Sequence, residues 1–199
     1  MLHFVDSNSR MHHVYSLLNK NQDSILGTFK QYVRHVERRW GFKIKIIYGN
    51  GETAAKFGSG FQAWVAEEGI TMESSPPHTQ DQNSLAKRSG GVIIARSRNM
   101  KQTANLPDKV WPKIVHYAGY LLNRLPTKSL GWQTPIGYIK KYLGNEVPKP
   151  SMNHLVLYGC RAYSYIKKRG KLEKLELRAH IGYLVGYDLT NIFRIWIPS

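Results

Sequence analysis

The chain has 199 residues, of which 42% are hydrophobic and 12% aromatic, enough apolar material for one folded domain and a small appendage. Its 29 Lys and Arg residues against 13 Asp and Glu give a net charge of +16, so nucleic acid is the first partner to expect. The single cysteine excludes an intrachain disulfide, and no apolar run reaches the roughly 20 residues that a bilayer crossing requires.

The first 41 residues predict a hairpin followed by a helix. Apolar and β-branched residues around a turn-rich segment predict a β-hairpin over residues 2–18. Apolar residues at helical spacing predict an amphipathic helix over residues 25–40, with Asp23 or Ser24 as the N-cap and Gly41 at its end.

Short elements are predicted in the middle of the chain. Alternating apolar and polar residues predict a strand over 42–48, which leads into a glycine-rich turn. A short helix around 61–65 and a brief strand at 70–73 follow, and residues 78–83 are predicted to form a loop. A longer helix is predicted from about 84 to 100, although the glycine pair at 90 and 91 costs about 1 kcal/mol per glycine relative to alanine.

The last third of the chain combines one strong helix with short strands. Residues 110–125 carry the most regular helical stripe in the sequence and are predicted to be core. Three short strands are predicted at 160–166, 180–186 and 192–198. We place a domain boundary near Pro150, because the pattern changes there from helical to all-β.

An ordered series of motifs runs along the whole chain and resembles the integrase region of copia-type LTR retrotransposons. Each motif is short, but their order is specific. They comprise FVDSNSR at 4–10, GNG at 49–51, QNSLAKR at 82–88, AR at 95–96, LP at 106–107 with Trp111, YLLNRLP at 120–126, TP at 134–135, YGCRAY at 158–163 and GYLVGY at 182–187.

This resemblance implies an α/β fold with two domains. Residues 1–150 are expected to form a degenerate RNase H-like integrase core, a mixed sheet flanked by helices. Residues 151–199 are expected to form a small SH3-like β unit. In the related fold the central strand of the sheet lies upstream of the position of Met1, so we expect that strand to be missing here and two strand edges to be left unpaired.

The resemblance also implies that the catalytic carboxylates are lost. Integrases of this family use three acidic side chains to hold two Mg²⁺ or Mn²⁺ ions during phosphodiester transfer. The first falls upstream of Met1, the second at Gly49 and the third at Lys87. Glycine offers no ligand and lysine repels a cation. We therefore predict that the chain is not an enzyme and has neither a bound metal nor any other cofactor.

An active nuclease or strand transferase is the alternative, and it needs substitute carboxylates. The nearest candidates are Glu52, Glu73 and Asp81, which the predicted turns and loops do not bring to one site. Asp6 belongs to the first motif and is not a triad member of the family.

Cations on or near one helix are the predicted contacts to nucleic acid. They are Lys87, Arg88, Arg96, Arg98 and Lys101. Such contacts give non-specific, salt-dependent binding to phosphates. The basic run at 167–171 is either a nuclear import or DNA contact signal or a solvated loop, and the spacing does not decide between them.

Two further features have ordinary explanations. His12 and His13 are neighbours on a predicted strand, so they point to opposite faces and are more easily strand residues than ligands of one metal ion. Cys160 lies in an apolar strand, where a buried small hydrophobe is commoner than a nucleophile.

The sequence thus predicts a non-catalytic, nucleic-acid-binding relic of an integrase. The alternative is a co-opted non-catalytic nucleic-acid-binding protein. Self-association is a further option. Location is expected to be nuclear or undefined, and neither secreted nor in a membrane, because the first residues lack the charged-then-apolar order of a signal peptide.

Overall fold

The computed structural model describes residues 1–50, 57–75, 81–145, 150–166 and 177–198. The chain divides into two compact units. The first unit comprises Met1–Ser7 and His12–Gly91, and the second comprises Asn8–Met11 and Val92–Ser199. The predicted boundary near Pro150 lies inside the second unit, and it stays a prediction about the organisation of the sequence.

The first unit contains the predicted hairpin, helices and short strands. Its elements are β1 (Leu2–Val5), β2 (His12–Tyr15), α1 (Gln22–Trp40), β3 (Ile46–Asn50), α2 (Gly58–Glu67), β4 (Thr71–Ser75) and the beginning of α3 (Asp81–Ala104). The hairpin and the helix types are confirmed. The segment 42–45, predicted as strand, lies outside β3, and residues 81–83, predicted as loop, are helical.

Helix α1 begins and ends at defined caps. The side chain of Asn21 accepts a hydrogen bond from the Ser24 amide at 2.9 Å, so Asn21 is the N-cap, and the prediction of Asp23 or Ser24 is wrong. Gly41 adopts a left-handed conformation with φ of 71° and donates its N–H to the carbonyl of Glu37, which confirms the predicted end.

The strands of the first unit form two separate pairs. β1 and β2 are antiparallel, and Leu2 lies opposite Tyr15. β3 and β4 are parallel, and Ile46 lies opposite Thr71. Among the described residues these pairs are not joined by hydrogen bonds, in line with the expected gap between the hairpin and the following strand. The hairpin strands hydrogen-bond to each other, and β3 hydrogen-bonds to β4.

The core of the first unit is built from aromatic rings on α1 and α2. Phe61 is only 2% exposed, and its ring centroid lies 4.8 Å from Phe29 and 4.6 Å from Phe57. Trp64 and Val65 extend this cluster along α2, toward partly buried side chains of β1, β3 and β4. Edge-to-face and tilted contacts of this kind add to the burial of apolar area.

The second unit combines helices with a small sheet. It contains the end of α3, a 3₁₀ turn at Asp108–Val110, α4 (Trp111–Leu122), a second 3₁₀ turn at Lys128–Leu130, α5 (Pro135–Tyr142), β5 (Arg161–Tyr165), β6 (Ala179–Leu189) and β7 (Ile192–Trp196). α3 is continuous through Gly90 and Gly91, so the glycine pair does not interrupt it. Pro112 lies in the first turn of α4, where proline is tolerated.

Strands β5 to β7 form an antiparallel sheet in the order β5-β6-β7, as the sequence predicts for this region. α4 packs against this sheet through a tyrosine-rich core. The buried members of that core are Leu106, Val110, Ile114, Tyr117, Tyr158, Leu184, Val185 and Tyr187.

Two hydroxyl groups in this core differ in their hydrogen bonding. Tyr187 accepts a hydrogen bond from the Val156 amide at 2.8 Å, which ties the segment before β5 to β6. The buried Tyr158 hydroxyl has no hydrogen-bond partner among the described residues. Burial also raises the pKa of Tyr158, because its charged form is disfavoured there.

Gly159 lies where the end of α3 approaches the sheet. Its φ of +78° is left-handed, and a Cβ at this position would lie 2.3 Å from the Cβ of Ala104. Its N–H donates to the carbonyl of Leu184 at 2.9 Å. Only glycine meets both conditions without displacement of the backbone.

Candidate functional site

The five predicted contact residues all lie on α3, but they belong to different compact units. Lys87 and Arg88 are exposed residues of the first unit. Arg96, Arg98 and Lys101 lie in the second. The second unit is therefore where the local arrangement of three of them can be compared.

Arg98 and Lys101 line one open groove. They are three positions apart on α3, a spacing that places side chains next to each other on a helix. Gln102, Asp108 and Trp111 complete the lining, and the groove has a volume of about 530 Å³. Its mouth is open to solvent, which suits an extended ligand better than an enclosed small molecule.

The charges of this groove are unequal. Lys101 is partly buried and pairs with the carboxylate of Asp108, so much of its charge is already neutralised. Arg98 is exposed and makes no ion pair with any described residue. Its guanidinium therefore remains available to a phosphate, which it can bind in a bidentate manner.

The buried face of α3 fixes this arrangement. Ile93 and Ser97 are completely buried, and the Ser97 hydroxyl donates to the carbonyl of Ile93 at 2.7 Å. Arg96 is two positions before Arg98, about 200° away around the helix axis, so it projects from a different side. The structure thus brings Arg98 and Lys101 together and leaves Arg96 apart.

Helix α1 carries a second cationic groove. Its volume is about 470 Å³, and it is lined by Gly27, Gln31, Arg34, His35, Arg38 and Arg39. Burial and the neighbouring Arg39 lower the pKa of His35, so its ring is neutral at neutral pH. The four-residue spacing of Arg34 and Arg38 is the signal that identifies this groove in the sequence.

The two positions predicted from the sequence to correspond to catalytic carboxylates of the family have side chains without an oxygen ligand. Gly49 lies on β3 opposite Ser74 of β4. Lys87 is exposed on α3. Neither side chain can coordinate Mg²⁺, which binds oxygen ligands.

Among the substitute carboxylates, only Glu73 can be placed by its contacts. It lies on β4 opposite Tyr48 of β3, and its charge and hydrogen bond raise the pKa of the Tyr48 hydroxyl. Glu52 lies outside the described residues, as does the side chain of Asp81. Within the described part of the chain, no three His, Cys, Asp or Glu side chains are placed so that they could hold a metal ion.

The histidines of the hairpin occupy both of its faces, as predicted. His12 Nδ1 lies 3.1 Å from Nε2 of His3, whereas His13 packs on the rings of Tyr32 and His35. Burial lowers the pKa of both His3 and His13 to about 4. These rings are therefore neutral packing groups at neutral pH.

Cys160 and the basic run after β5 complete the predicted positions. Cys160 immediately precedes β5 and packs against the core of the second unit, as a small hydrophobe does. The run at 167–171 lies outside the described residues.

No protein-family model matches the chain. Its curated relatives are Pol polyproteins of plant retrotransposons. It is 31% identical over 198 residues, 98% of its length, to the retrovirus-related Pol polyprotein from transposon TNT 1-94 of Nicotiana tabacum. Identity is 30% and 29% over 190 residues to the corresponding polyproteins from transposons RE2 and RE1 of Arabidopsis thaliana, covering 94% of the chain.

The chain spans only 14% of the tobacco polyprotein and 12% of each Arabidopsis one. Along nearly its whole length it is therefore related to one segment of the copia-type retrovirus-related Pol polyproteins, and the resemblance predicted from the motifs is confirmed.

A solved structure shares the fold. A chain of the simian T-cell lymphotropic virus intasome, determined in complex with PP2A regulatory subunit B56 gamma, superposes with a TM-score of 0.58 at 14% identity. The match covers 98% of this chain and 68% of the other. It supports the mixed α/β architecture with a three-stranded sheet at the end. None of the described helices has the length and apolar character needed to cross a membrane.

Proposed function

We propose that this chain is a non-catalytic nucleic-acid-binding derivative of the integrase region of a copia-type retrotransposon. In this proposal the first part is a degenerate RNase H-like core and the last part an SH3-like unit. Its partner is the phosphodiester backbone of DNA or RNA, bound without sequence preference. The observation that carries the proposal is the exposed guanidinium of Arg98, which makes no ion pair within the described part of the chain, in an open groove of a protein with net charge +16.

The charge balance supports backbone binding. A guanidinium that is not neutralised by a carboxylate releases counterions when it meets a phosphate, which gives affinity that falls steeply with salt. The lining of the groove contains one carboxylate, Asp108, and Lys101 already pairs with it. The long-range field of the protein draws polyanions toward this surface.

The residues at the matched positions support the loss of catalysis. Two-metal phosphoryl transfer depends on carboxylates that stabilise both the attacking and the leaving oxygen. Gly49 supplies no charge, and Lys87 supplies charge of the wrong sign. Both a relic and a co-opted host protein agree with this reading, since each retains binding without chemistry.

The binding proposal is tested by fluorescence anisotropy with a labelled DNA duplex at several salt concentrations. We expect Arg98→Ala to weaken binding to all sequences alike and to reduce the slope of log K against log salt by about one. Lys113→Ala, which removes an exposed cation of α4, is the matched control. Unchanged affinity and slope for Arg98→Ala would refute this groove as the binding surface.

Catalysis is tested separately with the same duplex in Mg²⁺ and in Mn²⁺. We expect no strand cleavage or joining above the rate without protein. Metal-dependent turnover that disappears in Glu73→Gln would contradict the proposal and restore the active-enzyme alternative.

A further inference from the structure

Strand β5 presents two tyrosines to solvent. Tyr163 and Tyr165 are 65% and 68% exposed, and Ile181, which lies opposite Tyr163 on β6, is 51% exposed. Alternate residues of a strand point to the same face, so Arg161 shares that face with both tyrosines. Large rings held apart from any core in this way commonly mark an interaction surface.

The same face is covered at its other end. Tyr183 lies opposite Arg161 and stacks on Trp196, with 5.9 Å between ring centroids. The ammonium group of Lys109 lies 5.2 Å from the centre of the Trp196 ring. The exposed large apolar side chains of this face on β5 and β6 are therefore Tyr163, Tyr165 and Ile181. Cations lie toward its covered end.

The spacing of the tyrosines fits separate planar ligands. Residues two apart on a strand are about 7 Å apart along it, so each ring can receive a ring of its own. Backbone hydrogen bonds between β5 and β6 fix the strand on which both rings stand. Such a rigid platform loses little entropy when a ligand stacks on it.

Charge determines which occupant fits. Asp188 is the only acidic residue of strands β5 to β7, and it pairs with Arg194. A second copy of this chain would bring another +16 charges to the face, which opposes self-association there. An anion with flat, apolar rings meets both requirements, and single-stranded nucleic acid is such a ligand.

We propose that the exposed face of β5 and β6 binds the unpaired bases of single-stranded nucleic acid by stacking on Tyr163 and Tyr165. Arg161 contacts the adjoining phosphate. This surface is separate from the groove of α3, and it adds recognition of bases to the backbone binding proposed above.

The test compares two oligomers of equal length and charge, using the full chain. One is a short oligothymidylate, and the other is an abasic phosphodiester oligomer that has no rings to stack. We expect the chain to prefer the oligothymidylate about tenfold or more. Replacing both tyrosines (Tyr163→Ala with Tyr165→Ala) should abolish this preference while leaving affinity for the abasic oligomer unchanged.

Two variants control for ring chemistry and for surface loss. The double replacement by phenylalanine (Tyr163→Phe with Tyr165→Phe) should retain the preference, since stacking needs the ring and not the hydroxyl. Tyr142→Ala removes a tyrosine of similar exposure, 71%, from α5 and should bind like the parent chain. Circular dichroism of each variant verifies that the fold is kept.

The outcomes separate this proposal from the function proposed above. Arg98→Ala should weaken binding of both oligomers, so its failure refutes the α3 groove alone. Equal affinity of the parent chain for both oligomers, or loss of the preference in the phenylalanine variant, overturns base stacking. A dimer in sedimentation that dissociates only on replacement of both tyrosines by alanine would instead identify the face as a self-association surface.

Discussion

The cores of the two compact units are built from different aromatic residues. The first is centred on Phe29, Phe57 and Phe61, beside Trp64, whose indole N–H donates to Glu68. The second packs Tyr117 and other tyrosines, whose hydroxyl groups must each find a hydrogen-bond partner or be desolvated at a cost. The first core therefore depends mainly on shape and apolar area, whereas the second depends more on whether its buried hydroxyl groups are hydrogen-bonded.

The strands of the two units are also arranged differently. In the first unit two separate strand pairs rest on helices, so their stability is set by contact with α1 and α2. In the second unit three strands share one hydrogen-bonded sheet, and its buried side chains meet α4. Loss of a helix contact should therefore damage the first unit more than loss of a hydroxyl group damages the second.

The largest effect is expected from Phe61→Ala. This change removes the most buried ring of the first core and should cost about 3–5 kcal/mol of unfolding free energy. Hydrogen exchange measured residue by residue is the observable, because it reports each unit separately. Protection should fall in α1 and α2.

Ile114→Ala is the matched change in the second core, where the side chain is also completely buried. It should cost about 2–5 kcal/mol and lower protection in α4 and β6. If both variants lowered protection equally throughout the chain, the two units would unfold as one, and the contrast drawn between them would fail.

Acid should weaken the first unit through His3 and His13, which are partly buried. The pKa of His13 and of His3 is lowered to about 4 in the folded chain, against an ordinary value of 6.5. As the pH falls, these histidines take up protons in the unfolded chain before they do so in the folded chain. The free energy of unfolding should therefore be highest above about pH 6.5 and should fall toward pH 4. The melting temperature should decline over that interval.

His13→Gln should flatten this decline, since glutamine does not titrate. His180→Gln, at an exposed position of β6, is the control and should keep the pH dependence of the parent chain. Thermal melts at pH 7 and pH 4.5 make the comparison. An identical decline in all three proteins would show that His13 is not a source of acid sensitivity.

The smallest effect concerns the two tyrosine hydroxyl groups of the second core. Tyr158→Phe removes a buried hydroxyl with no partner among the described residues and should stabilise the chain by about 1 kcal/mol. Tyr187→Phe removes the acceptor for the Val156 amide and should destabilise it by a similar amount. Urea titration measures the free energy of unfolding of both variants. Changes of the same sign would contradict the assignment of one unpaired and one hydrogen-bonded hydroxyl group to this core.

Local sequence predicted the elements that depend on local rules. The apolar stripes of α1 and α4 and the glycine after α1 follow from periodicity and from backbone freedom, which require no knowledge of distant residues. The predicted N-caps, Asp23 and Ser24, lie two and three positions after the observed one, because Asn21, Asp23 and Ser24 are all competent caps and the first turn alone decides between them. Helix α5 was missed, although Thr134 caps it and Pro135 begins it.

Tertiary arrangement accounts for what the sequence did not predict. The parallel pairing of β3 with β4 depends on hydrogen bonds between segments distant in sequence. For the candidate site, the three-residue spacing of Arg98 and Lys101 already indicated a shared surface. The neutralisation of Lys101 by Asp108 did not follow from spacing, because a turn after α3 brings the carboxylate back to the helix. The exposure of Tyr163 likewise depends on which face of the sheet α4 covers.

Gly159 has a consequence for how this sequence can diverge. Its left-handed backbone and its approach to Ala104 restrict the position twice, once by conformation and once by space. Removing one restriction does not remove the other. A smaller residue at 104 would make room for a side chain at 159, but it would not relieve the backbone strain of that side chain. No single substitution at either position removes both restrictions, so glycine is expected to persist at 159.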